Sequence, residues 1–94
     1  MADLRGLPDA DLVERGLADL SAGRMSAPAL AVAAAGAKLR RLGLDVPPGL
    51  DDAELNLYRE LCSDDPATAY ARYNSMLRAI VSFARALERE QSTL

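Results

Sequence analysis

The chain has 94 residues, half of them hydrophobic and 27% charged, with a net charge of −3. It carries no histidine and one cysteine. That removes histidine acid–base and nucleophile chemistry, histidine metal sites, structural zinc and an internal disulfide framework. No catalytic motif remains, so the sequence is read as a small non-enzymatic helical domain without cofactor or metal.

One domain spanning 1–94 is expected, and a chain of this size buries only about 60–65% of its unfolded surface. Eighteen alanines and few β-branched residues favour helix throughout. Ten arginines against one lysine, with so much alanine, point to a GC-rich bacterial source. No run of 18 apolar residues is present, so no membrane span is expected. The opening MADLRGLPDAD has no apolar signal core, and a lone cysteine suits a reducing compartment; both favour the cytoplasm.

The first helix is expected over 8–22. Leu12, Val13, Gly16, Leu17 and Leu20 form one apolar face, with Asp9, Asp11 and Glu14 crowding the start where the helix dipole favours negative charge. Gly23 supplies a stop. Gly16, inside the apolar face, costs about 1 kcal/mol against alanine, which makes sense where another backbone passes close. A second helix is expected over 27–42, capped by Ser26 and ended by Gly43 and Leu44 in a Schellman turn on Leu39. Ala29, Ala33 and Ala37 offer a small-residue side for a close crossing.

The segment LDVPPGL, residues 44–50, is a stiff linker. A third helix follows over 52–62, opened by Asp51, Asp52 and Glu54 in a capping-box pattern with a Leu50–Leu55 staple.

The last helix, 66–90, is the longest. Asp65 precedes Pro66 at the expected first helical position. Tyr70, Tyr73, Leu77, Ile80, Ala84 and Leu87 recur at 3-4-3-4-3 spacing, widened by Met76, Val81 and Phe83, and the opposite face carries Ser75, Arg78, Ser82, Arg85 and Arg89. The expected fold is therefore all-α, a small four-helix bundle with a long C-terminal helix. At 1.5 Å per residue the last helix runs about 37 Å, against about 20–25 Å for the others. Unless shorter helices stack end to end along it, its second half stays uncovered. That expectation assigns Met76, Ile80, Phe83, Ala84 and Leu87 to self-association, with a homodimer as the simplest form.

Charge is uneven: −2 over residues 1–24, +3 over 25–43, −6 over 44–65 and +2 over 66–94. Lys38, Arg40 and Arg41 form a candidate phosphate patch, weighed against their ordinary placement at a helix C-terminus. Arg72, Asn74, Arg78 and Arg85 are candidates for binding a heterologous protein, since arginine and its neighbouring tyrosines are enriched at interface hot spots. Tyr70 and Tyr73 are expected in the core and Cys62 as a small apolar filler. The acidic clusters are expected to cap helices. The turn at 21–25 could open a helix-turn-helix, but Ala29, Leu30, Ala31 and Val32 are poor base readers.

These features favour a non-catalytic helical protein–protein interaction module. One alternative is a small nucleic-acid-binding regulator using the basic patch, against which the net negative charge argues. The other is an accessory subunit or small-ligand binder around Tyr58, Arg72 and Tyr73.

Overall fold

The computed structural model describes residues 6–47 and 52–92. Among these residues five helices pack together: α1 (Ala10–Ser21), α2 (Ala27–Ala34), α3 (Gly36–Arg41), α4 (Ala53–Asp64) and α5 (Ala69–Ser92). The fold is all-α with a long C-terminal helix, and no strand occurs among the described residues.

The expected second helix is two. At Ala35 the backbone leaves helical geometry, with φ −97° and ψ 14°, and α3 starts afresh at Gly36. Glycine is the poorest helix former after proline, so the interruption falls where the helix is weakest. Gly36 is buried, and a Cβ there would lie 3.4 Å from the Val46 side chain. The break lets α3 turn Leu39 and Leu42 into the core beside Val46.

Local signals act as expected at three helix ends. Ser26 Oγ accepts the Ala29 amide at 3.2 Å and donates to Asp19 Oδ2 at 2.6 Å, tying the start of α2 to the end of α1. Gly23 and Gly43 both take positive φ. Each closes a Schellman turn, with the Arg24 amide on the Asp19 carbonyl and the Leu44 amide on the Leu39 carbonyl. The start of α5 differs from expectation. Pro66, Ala67 and Thr68 form a turn held by the Asp65 carboxylate, which accepts from the Ala67 amide and the Thr68 hydroxyl, and the helix begins only at Ala69. Asp65 thus caps a turn that precedes the helix. Leu50 and Asp51 lie outside the described residues; Leu55, the other half of the expected staple, is exposed.

The centre of the fold is α2, not α5. Ala29, Leu30, Ala31 and Val32 are all buried, so α2 is covered on every side, by α1, α4 and α5. Its small residues permit this, as does Gly16. A Cβ at Gly16 would fall 2.5 Å from the Pro28 carbonyl oxygen and would overlap the Val32 side chain. The expected close crossing is therefore between α1 and α2. Burial of its first turns also removes α2 as a base-reading helix.

The length mismatch is resolved by end-to-end stacking. The first half of α5 packs on α4, marked by the Tyr58–Tyr73 edge-to-face contact at 5.7 Å. The second half runs along α2 and α3, where Lys38 pairs with Glu88 at 3.0 Å and Gln91 Nε2 donates to the Leu42 carbonyl at 2.6 Å. Ile80, Phe83, Ala84 and Leu87 are consequently buried inside the chain, and Met76 is packed against the same core. This corrects the assignment of these five residues to a self-association surface: the chain's own α1, α2 and α4, which pack on α5, supply the cover that a second copy was expected to supply.

Candidate functional site

Three parallel stripes run along α5, each repeating at 4-3-4-3-4 and rotated from the next by one residue, or about 100°. Ala69, Tyr73, Met76, Ile80, Phe83 and Leu87 face the core. Tyr70, Asn74, Leu77, Val81, Ala84 and Glu88 form the next stripe. Ala71, Ser75, Arg78, Ser82, Arg85 and Arg89 form the third, which is exposed throughout.

The middle stripe is the unusual one. An apolar stripe that borders the core is expected to be covered by it, yet Tyr70 is 68% exposed and Val81 49%. Tyr70 was expected in the core. The seam read from sequence alternated between the first two stripes, and the true core direction is rotated toward Met76 and Phe83. That rotation, together with the end of α4 at Asp64, leaves Tyr70 uncovered.

Two concavities meet at Val81 and Arg85. A shallow groove of about 610 Å³ is lined by Pro8 and by Asn74, Leu77, Arg78, Val81, Ser82, Arg85, Ala86 and Arg89 of α5. Among the described residues three arginines line it and no carboxylate does. Beside it lies a smaller, mainly apolar pit of about 230 Å³, lined by Ala35, Lys38, Ile80, Val81, Ala84, Arg85 and Glu88. The interruption between α2 and α3 opens this pit, since Ala35 forms part of its wall.

Of the residues expected to bind a partner, Asn74, Arg78 and Arg85 come together in the groove, and Arg89 joins them. Arg72 does not. Its guanidinium donates to Asp64 Oδ2 at 2.6 Å, joining the start of α5 to the end of α4 on another side of the helix. The expected phosphate patch is dispersed as well. Lys38 turns to Glu88, Arg40 donates to the Val46 carbonyl at 3.2 Å, and Arg41 stands exposed. Lys38 and Arg40 therefore serve the join between α3 and its surroundings, with Lys38 placed on the wall of the pit beside Arg85.

Tyr58 and Tyr73 pack against each other at 86° between ring planes. Tyr58 has its phenol pushed above the usual range, first by hydrogen bonding to the Cys62 thiol and then by the repulsion of a thiolate there, with smaller contributions from burial and Tyr70. A phenol that is harder to ionise is a poorer acid, and it stays protonated further into the alkaline range. Cys62 is half-buried and packed on the core, as a small filler would be. Among the described residues no three carboxylate or thiol side chains converge as metal ligands would, and no helix is long and apolar enough to cross a membrane.

Sequence reasoning did not bring Leu77, Val81 and Arg89 together with Asn74, Arg78 and Arg85, as the groove does. The 4-3-4-3-4 repeat of the middle stripe was the available signal. It was hidden because the same helix carries a second apolar stripe one residue away. Compared with known protein families, curated proteins and solved structures, the chain matches none.

Proposed function

We infer that the chain is a non-catalytic helical module that binds another protein along the outward face of α5. The observation that carries this reading is the company Tyr70 and Val81 keep. Both are large, exposed and apolar, both lie on one helical stripe, and Arg78 and Arg85 border that stripe on its solvent side. Exposed apolar residues scattered singly need no explanation, whereas a row rimmed by charge marks an interface. Arginine and tyrosine are also the side chains that most often dominate binding energy.

Nucleic-acid binding is the second reading, supported by the three arginines of the groove. The apolar row between those arginines and the core favours protein, because phosphates need none of it. The chain as a whole is also acidic.

The test uses extract from cells that make the protein. Wild type should migrate in an assembly larger than its own 10.0 kDa, and Arg78→Glu/Arg85→Glu should migrate alone. A wild type that migrates alone in the same extract would sink this reading.

A further inference from the structure

The geometry points to an acidic amphipathic α-helix of a different protein as the occupant of this face. The proposal rests on reading the face as a protein-binding surface and adds the partner's chemistry.

Spacing specifies a helix. Tyr70 and Leu77 are separated by seven residues and Asn74 and Val81 by the same interval, while Ala84, next in register, is buried and lines the pit. This is the a/d pattern against which a second helix packs with small crossing angle, and helix-in-groove recognition uses anchors at this spacing. The row has a built socket near its end. The pit at Ala35 is mainly apolar and takes one aliphatic side chain from the partner. Asn74 in the row is the polar position that fixes register in helix pairs.

Charge specifies the partner's flank. Arg78 and Arg85 occupy the position that follows the d residue in each repeat, where interhelical ion pairs choose partner and orientation. Among the described residues no carboxylate lines the groove they share with Arg89. A second α5 laid antiparallel along this stripe would set arginines against arginines, and one laid parallel would set them against the uncharged Tyr73, Ile80 and Leu87, so a second copy is the wrong occupant. A helix with glutamates or aspartates at its facing flank satisfies both guanidinium groups.

The experiment compares two synthetic amphipathic peptides of about three heptads with one leucine seam, the flanks of one being glutamate and of the other lysine. Binding to the full chain is read by fluorescence anisotropy in about 50 mM salt, where surface charges are only partly screened. The glutamate peptide should bind wild type about tenfold or more tighter than the lysine peptide, and Arg78→Glu/Arg85→Glu should reverse the order. Val81→Glu should weaken both. No binding by either peptide, equal binding, or a preference that survives the double substitution would overturn the proposal. Tighter binding of duplex or single-stranded nucleic acid at this face would do so too, as would a doubled mass in solution that the double substitution abolishes. If the peptides fail while a cross-linker at position 81 still captures a protein, the partner chemistry is wrong and the face stands. If the cross-linker also fails, the face itself is wrong.

Discussion

Gly16 faces the backbone of Pro28 so closely that a Cβ on residue 16 would lie 2.5 Å from the Pro28 carbonyl oxygen. The neighbour is backbone of a buried helix and cannot swing aside. Gly16→Ala would gain about 1 kcal/mol in helix propensity. Forcing α1 and α2 apart costs more, so a net loss of about 1–3 kcal/mol is expected. Urea denaturation, read as a lower midpoint at unchanged slope, checks it. A stabilised variant would mean that the two helices do not cross at this point.

Phe83 is fully buried among α5's neighbours. Phe83→Ala should therefore cost about 3–5 kcal/mol of folding stability. Mass in solution under native conditions should not change, because the ring touches only its own chain. Light scattering beside calorimetry separates the two: a mass that halves with little loss of stability would return Phe83 to an interface.

The Asp64–Arg72 and Lys38–Glu88 pairs are both partly exposed. Breaking either with Arg72→Ala or Glu88→Ala should cost less than about 1 kcal/mol, since exposed ion pairs gain little over hydration. Arg72→Ala should not alter binding along Arg78 and Arg85 by much, because Arg72 lines neither concavity. A large loss of binding in Arg72→Ala would restore Arg72 to the partner surface.

Tyr58 is held above the ordinary phenol range chiefly by Cys62. A raised folded pKa means that the protonated folded state is favoured. The associated stability is present below the unfolded tyrosine pKa, near 10, and is lost as pH climbs through the folded value. Cys62→Ala should lower the Tyr58 midpoint toward that of a free tyrosine, visible by ultraviolet titration, and flatten the alkaline decline in stability. An unmoved midpoint would assign the shift to burial or to Tyr70.

Much of the architecture is legible in the sequence because it is written locally. Ser26, Gly23 and Gly43 mark helix ends through bonds that span only a few residues, and the close approach at Gly16 announces itself by a glycine on an apolar face. The break at Ala35 was not legible. It depends on where Leu39, Leu42 and Val46 find the core, a tertiary matter that overrides the helical preference of an alanine run. The phase of α5 was hidden for a different reason. With two apolar stripes side by side, hydrophobic periodicity gives their average direction, and only the positions of α2 and α4 decide which stripe is covered. That ambiguity moved Tyr70 from core to surface, whereas Phe83 and its neighbours moved from interface to core because helices of the same chain cover the second half of α5. The arginine row was read correctly as the face opposite the core, because charged residues at helical spacing leave no such choice. Arg72, expected beside Asn74 as a partner-binding residue, is paired with Asp64 across a turn whose path sequence does not give.

The most direct test of the protein-binding face is site-specific photo-cross-linking in the cells that make the protein. A photoreactive side chain replaces Val81 on the exposed stripe, with Ala18 on the exposed side of α1 as control. The account predicts covalent capture of one protein from position 81, none from position 18, and loss of capture when Arg78→Glu/Arg85→Glu is added. No capture from position 81, equal capture from both positions, or capture of nucleic acid alone would contradict it.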